Sequence, residues 1–377
     1  MPPGMRAALV SATAGALLLG SVGGIAASRA STARATVSMP GENALAAALR
    51  WSDVKRLIPA GGAIYWPELP QFNTGLESGS NSVAEAVEQF DYVGPDAARA
   101  GAQLVSTVIV HRTSAAAASD YAAIERTSDA GGTTLSGPSV PADQWRFFSK
   151  KAGKLVERTL RWRIGAAVGR ISAIDNTGYS AVNWTPARLA KLFAPVASRV
   201  RALLGGRLHA VPLPASTLRL LPPAAAAPGP VSGTALAPAE GWAAVDSSGQ
   251  PQAILQQLRA GGAGTLAFRQ YRLSAAPGNT VVVTVFPFRT AKAAAAWVKT
   301  FPGHPQGIKL TSLDPGKTGS ASALVAVNGG SYYELQFARG KISVDIACDA
   351  PFGTTSRACE AATRTLAEKW YAATGRS

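Results

Sequence analysis

Two short blocks of this sequence occur twice, once in each half of the chain. TVIVHRT at 107–113 leads into an Ala-rich segment, and TVFPFRT at 284–290 does the same. Later in each half, GRISAI at 169–174 is echoed by GKISV at 340–344. The pattern predicts one domain used twice, with small insertions and deletions between the matched blocks. A duplication constrains the scaffold of a protein and leaves its reaction open.

Length and composition agree with two domains. A chain of 377 residues accommodates two domains of roughly 150 residues and a tail. Its hydrophobic fraction of 47% and charged fraction of 16% are typical of globular domains that bury a core. We predict a first repeat at 42–206, a linker at 207–214 and a second repeat at 215–377. Pro212 and Pro214 limit the flexibility of that linker.

The order of predicted elements indicates the fold class. Each repeat reads as helix, two strands, helix, three strands and helix, from β-branched strands and apolar residues at helical spacing. Gly165 and Gly340 stand where tight hairpin turns are expected. Strands joined by hairpins form antiparallel sheets on which helices pack. The predicted fold is α+β, with two tandem repeats of an antiparallel sheet carrying two packed helices each.

The first 35 residues are typical of a signal peptide or N-terminal anchor. Arg6 precedes an uncharged stretch at 7–28, and small residues acceptable to a signal peptidase follow at 26–28 and 33–35. The stretch is long enough to remain as a membrane anchor, although its glycines make a poor one. We expect a secreted or extracytoplasmic protein, either cleaved or anchored through this segment.

The chain has two cysteines, Cys348 and Cys359. Outside the cytoplasm, an even pair is most simply a disulfide. The bridge would join the end of the last strand to the start of the last helix. Zinc is not expected, because the two thiols lack further ligands at a suitable spacing.

Three parts of the second repeat resemble a known family. KISVDIAC at 341–348 precedes a short loop and an amphipathic helix, a Leu-rich helix lies at 218–221, and a strand and an Ala-rich helix cover 281–298. These blocks resemble PknH-type extracellular sensor domains, found on mycobacterial receptor kinases and on stand-alone exported proteins. Here the unit is doubled, there is no kinase domain, and the family's usual second disulfide has no cysteines. The resemblance implies extracellular ligand sensing and supplies no catalytic residues.

Motifs of catalysis are missing from the sequence. Neither G-x-S-x-G nor H-E-x-x-H occurs, and the three histidines share no ligand spacing. His111 ends a predicted strand, where a structural role is the more common one, and Phe288 takes its place in the second repeat. We expect no catalytic residue, no metal and no cofactor, and therefore a protein that is not an enzyme.

Basic residues cluster between positions 146 and 170, in a chain of net charge +15. On a strand, Arg161 and Arg163 share one face, while Trp162 lies on the other. We expect both arginines on the outer surface of the sheet, with Lys150 and Lys151 near the preceding turn, and Trp162 in the core. The face is either a solvated surface or a docking site for an anionic polymer or lipid headgroup. Nucleic acid is not expected, because interleaved aromatic residues are missing.

An aromatic loop is the other candidate site. Tyr65, Trp66 and Phe72 lie in a Gly/Pro-rich segment at 60–82. Exposed aromatic rings there would grip a sugar or a lipid. The more common alternative is that they fold back and cap a core.

Together, these features lead to one function hypothesis and two alternatives. The first is an exported, non-catalytic envelope protein that binds or senses an extracytoplasmic ligand. The second is a structural or adaptor protein that docks on anionic envelope surfaces through its basic sheet face. A hydrolase is the third.

Overall fold

The structure is a computed structural model that forms two compact units. The predicted signal segment at 1–35 lies outside the residues it describes. The N-terminal unit comprises the described residues from 39 to 66 and from 82 to 210, and the C-terminal unit those from 67 to 72 and from 211 to 374. The described residues are 39, 41–58, 65–72, 82–93, 102–127, 129–176, 183–245, 251–273, 279–299, 310–312, 323–326, 332–349 and 357–374.

Helices and strands alternate along the chain in blocks, and a short 3-10 helix lies at Ala224–Ala226. In chain order the elements are α1 (Gly41–Ala47), α2 (Trp51–Val54), β1 (Tyr65–Pro67), β2 (Gln71–Phe72), β3 (Ser82–Tyr92), β4 (Gln103–His111), α3 (Ser114–Arg126), β5 (Thr133–Thr134), β6 (Gln144–Ala152), β7 (Leu155–Ile164), β8 (Ala167–Asn176), α4 (Pro186–Leu204), α5 (Ala215–Leu218), β9 (Val231–Pro238), α6 (Ala239–Val245), α7 (Pro251–Gly261), β10 (Thr265–Arg272), β11 (Thr280–Pro287), α8 (Ala291–Lys299), β12 (Leu310–Ser312), β13 (Ala323–Ala326), β14 (Tyr332–Arg339), β15 (Ile342–Asp349) and α9 (Arg357–Thr374).

The N-terminal unit is a sheet with helices on both faces. Its strands lie in the order β1-β3-β4-β8-β7-β6-β5. Helix α4 covers one face, where the Trp162 ring lies 5.3 Å from Phe193. Helix α3 covers the other face, where Tyr121 and Ile124 pack with Val168. All nine residues of β4 are buried, because this central strand is covered on both sides.

The C-terminal unit is also a sheet between helices. Its order is β12-β13-β14-β15-β11-β10-β9. Helix α9 packs Trp370 on Phe337, with ring centroids 5.7 Å apart, and α8 packs Trp297 on Phe286 at 5.6 Å. Neighbouring residues of a strand point to opposite faces of the sheet. Phe286 therefore packs in the layer with α8, and the buried Val285 packs in the layer with α9. The α+β class with antiparallel sheets, predicted from the sequence, is confirmed.

The two sheets share one strand order, in which β3-β4-β8-β7-β6-β5 corresponds to β10-β11-β15-β14-β13-β12. Gly165 at the β7–β8 turn and Gly340 at the β14–β15 turn both have positive φ, 51° and 54°, which glycine adopts without strain. The register therefore matches Gly340 with Gly165, and the alignment of the block at 169–174 with the block at 340–344 is wrong by four positions. A duplication as the origin of both units stays a prediction.

Corresponding positions carry different polar residues. In the N-terminal sheet, Arg170 lies between Thr107 and Arg161 on neighbouring strands. In the C-terminal sheet, Asp345 lies between Thr284 and Gln336. The Gln336 amide donates to Asp345 Oδ1 at 3.0 Å, and both residues are buried. Each sheet thus carries a row of polar residues across its central strands, and the two rows consist of different residue types.

The predicted disulfide is confirmed in the C-terminal unit. Cys348 on β15 and Cys359 on α9 are bonded, their Cα atoms are 5.4 Å apart, and both side chains are fully buried. The bond ties the last described strand to the last described helix, as the spacing of the cysteines predicted.

Removing this disulfide should destabilise the C-terminal unit. We expect Cys348→Ser/Cys359→Ser to lower its free energy of unfolding by about 3 kcal/mol, because an 11-residue loop is released in the unfolded chain. Denaturant unfolding of the variant and the wild type measures the difference. Free thiols that titrate in wild-type protein purified without reductant would contradict the bond.

Candidate functional site

Arg161 is buried, contrary to the expectation from the sequence. Its side chain is 1% exposed, and Nε and Nη2 donate to the two carboxylate oxygens of Asp129 at 3.1 and 3.0 Å. Asp129, just after α3, is 2% exposed. The prediction of a solvent-facing Arg161 is wrong, because the face of β7 opposite Trp162 lies beneath α3 and the residues that follow it. Alternation separates two faces of a strand and does not show that one of them meets water.

Arg163 is held near the C-terminal end of β7. Its side chain is 16% exposed, and Nε donates to Gln144 Oε1 at 2.6 Å. Nη1 donates to the Gly165 carbonyl at 3.1 Å and lies 3.4 Å from Asp143 Oδ2. Arg163 therefore braces the β6–β7 hairpin and the β7–β8 turn. Trp162 is fully buried, which confirms the predicted position of this side chain.

A buried polar layer surrounds Arg161 on the α3 side of the sheet. Thr159 donates to Glu157 Oε1 at 3.0 Å and shares a 2.8 Å hydrogen bond with Ser172. Arg170 Nη1 lies 3.4 Å from the same carboxylate oxygen of Glu157. The layer consists of Asp129, Glu157, Thr159, Arg161, Arg170 and Ser172. Each of its four charges has a partner within the layer, which is the arrangement that makes buried charge tolerable.

Lys150 and Lys151 lie elsewhere, at the end of the β6–β7 hairpin. Lys151 and Lys154 are exposed, and Lys150 and Arg158 are half-buried. We call these four residues the basic hairpin tip. Glu157 is the acid in this part of the hairpin, and its carboxylate is turned into the polar layer. Four cations and one acid give the tip a positive formal charge. Arg161 and Arg163 are paired with Asp129 and Asp143.

Tyr65 and Trp66 of the predicted aromatic loop lie on β1. The Tyr65 ring is 1% exposed, 5.9 Å from Tyr92 and 6.4 Å from Trp184. Trp66 is half-buried. Phe72 is fully buried in the C-terminal unit. Tyr65 and Phe72 thus follow the alternative in which the rings cap a core, and neither ring is available at the surface.

His111 joins a strand end to a helix. It is 3% exposed, and its Nε2 lies 3.0 Å from Asp120 Oδ2 on α3. This pairing positions α3 on the end of β4. The geometry favours the structural role that the sequence analysis considered more common.

Glu88 is a half-buried carboxyl group that the sequence analysis missed. It lies on β3 opposite Ser106, whose Oγ accepts a hydrogen bond from the Leu49 amide at 3.2 Å. Its neighbours on the same face, Ala86 and Phe90, are fully buried. Burial raises the pKa of Glu88 from its ordinary 4.5 to about 8. The signal was present in the sequence, since Glu88 falls at a core position of an alternating strand.

Glu88 should make stability depend on pH. Below pH 4.5 both the folded and the unfolded chain hold the Glu88 proton, and between 4.5 and about 8 only the folded chain does. Stability from this group is therefore present at low pH and is lost as the pH rises to about 8. We expect Glu88→Gln to flatten this decline in thermal melts recorded from pH 5 to pH 8. Parallel pH profiles of variant and wild type would contradict the assignment.

The described residues contain no group of three or more His, Cys, Asp or Glu side chains arranged to hold a metal ion. Within those same ranges, no helix is both long and apolar enough to cross a membrane.

Comparison with known proteins leaves the resemblance as an expectation. No protein-family model matches the sequence, and no curated protein is significantly similar to it. The resemblance to PknH-type sensor domains therefore stays a prediction carried by the sequence blocks alone.

Proposed function

We propose that this protein is an exported, non-catalytic protein that binds an anionic ligand outside the cytoplasm. The buried disulfide supports the compartment, because such bonds form and persist in oxidising surroundings. The signal-like N-terminal sequence supports export. Sensing, as the family resemblance implies, would then follow from ligand binding.

The observation that carries the ligand class is the basic hairpin tip. Four cationic side chains lie within nine residues at the end of a two-stranded hairpin, and two of them are exposed. Glu157 is the one acid between positions 150 and 158, so this part of the hairpin carries a formal charge of +3 (four cations and one acid). Phosphate or carboxylate groups of a lipid headgroup or an acidic polymer fit this surface. The broader basic sheet face is a weaker candidate, since Arg161 is buried and paired.

Charge reversal at the tip tests this proposal. The wild type should bind either vesicles that contain an anionic lipid or a soluble acidic polysaccharide. We expect Lys151→Glu/Lys154→Glu to abolish whichever of the two kinds of binding the wild type shows. Binding by the wild type should weaken steeply with added salt, because exposed charges are screened over about 8 Å at physiological ionic strength. Vesicle co-sedimentation and titration with the soluble polymer distinguish the two sources.

The matched control is Lys55→Glu/Lys191→Glu, which changes the same charge at two exposed positions of the N-terminal unit. It should retain most of the binding. Equal losses in the two variants would assign binding to net charge and refute a site at the hairpin. Binding that survives reversal at the tip would refute it as well.

A further inference from the structure

A short extended segment is seated in the C-terminal unit although it comes from the first half of the chain. Residues 67–72 group with that unit. Glu68, Pro70 and Phe72 are buried, while Pro67, Leu69 and Gln71 are half-buried. This alternation is the pattern of an extended peptide that places every second side chain into a groove.

The Gln270 side chain hydrogen-bonds to the backbone of the segment. Gln270 on β10 accepts a hydrogen bond from the Phe72 amide at 2.9 Å and donates to the Phe72 carbonyl at 2.6 Å. Gln270 is 3% exposed, so both bonds are shielded from water. The side-chain amide thus contacts one residue in the way that a neighbouring strand would, and it does so for any residue with a free N–H.

The Phe72 side chain occupies a pocket shaped for an aromatic ring. The ring is fully buried and lies 6.2 Å from the Phe268 ring. Gly233 on β9 forms the floor, since a Cβ atom there would come within 2.3 Å of the Phe72 ring. At the other end, Gly241 on α6 lets the Glu68 backbone approach closely, because a Cβ there would lie 3.2 Å from the Glu68 carbonyl. Glycine at 233 thus makes room for the ring, and any side chain there would close the pocket.

We propose that this groove of the C-terminal unit is a peptide-binding site that takes an extended segment with a phenylalanine two residues after a proline. Gln270 supplies recognition of the main chain, and the pocket over Gly233 supplies recognition of the ring. Residues 67–72 are the ligand that the chain provides for itself. The site is separate from the basic hairpin tip and does not depend on it.

The test opens the groove in the full-length protein. Pro70→Gly/Phe72→Gly removes two of the three buried side chains of the segment, including the ring in the pocket, and fluorescein-labelled PELPQFNT is then titrated in an anisotropy experiment. We expect saturable binding, with PELPQANT about 10- to 100-fold weaker because it buries no ring. Adding Gln270→Ala to the variant should weaken PELPQFNT about tenfold through the two lost hydrogen bonds. Wild-type protein should bind little peptide, because its groove is filled.

The matched control is Leu69→Gly/Gln71→Gly, which alters the half-buried positions and should leave the groove filled and closed to peptide. Equal binding of the two peptides, or no binding to a folded double variant, would show that residues 67–72 are ordinary core and overturn the proposal. If the double variant does not fold by itself, refolding is followed by circular dichroism with each peptide present. Restoration of the native spectrum by PELPQFNT alone supports the site, and failure of PELPQFNT to restore it refutes the site.

Discussion

Asp129→Ala is expected to lower the free energy of unfolding of the N-terminal unit by about 3–5 kcal/mol. The substitution leaves the Arg161 guanidinium buried at 1% exposure without the carboxylate that accepts two of its hydrogen bonds. An uncompensated charge in the interior costs far more than the intact pair contributes, because desolvation is no longer offset. Replacing both partners, as in Arg161→Met/Asp129→Leu, should recover most of the loss.

Denaturant unfolding measures the loss, and hydrogen exchange at the β7 and β8 amides assigns it to the N-terminal unit. Glu360→Ala is the comparison, since it removes an exposed ion pair with Arg364 whose side chains are 41% and 39% exposed. Such pairs contribute under about 1 kcal/mol. Equal, small effects of Asp129→Ala and Glu360→Ala would mean that Arg161 reaches water in solution.

Trp162→Ala should cost the N-terminal unit about 3–5 kcal/mol as well, by creating a large cavity. The indole is fully buried, 5.3 Å from the Phe193 ring. Its back rests on Gly169 of β8, where a Cβ atom would come within 2.3 Å of the indole. The indole is packed between β8 and the Phe193 ring of α4, and these regular elements collapse little into the space.

Trp145→Ala is the matched control for this cavity. Trp145 lies opposite Trp162 in the β6–β7 register but is 41% exposed, so its truncation should cost much less. Both variants can be compared by thermal and denaturant unfolding. Similar losses for the two tryptophans would contradict the burial that separates them.

Local pattern was sufficient to predict the α+β class, the disulfide and the inward position of Trp162. Those features depend on strand alternation, hairpin glycine and cysteine spacing, which are all readable within a few residues. The position of Arg161 was not predictable in this way. Its partner Asp129 is 32 positions away and is brought to it by the path of α3.

The candidate sites show the same limit. Lys150 and Lys151 were identified from a charge cluster, but the cluster divides into a buried polar layer and an exposed tip once α3 covers one face of the sheet. The role of Phe72 depends on Gln270, which is 198 positions later in the chain. No periodicity within either segment indicates that pairing. Glu88, in contrast, stood at an apolar position of a strand and was recognisable as unusual.

Residues 67–72 belong to the C-terminal unit but are synthesised long before the rest of it. Phe72 leaves the ribosome 198 residues before Gln270 does. At typical rates of synthesis, the segment waits on the order of 10–40 s for its groove to exist. During that interval Phe72 lacks its pocket and is open to whatever chaperone or translocation machinery accompanies the nascent chain. Residues 211–374 therefore cannot complete the core of the C-terminal unit by themselves. They depend on residues 67–72, which are synthesised much earlier.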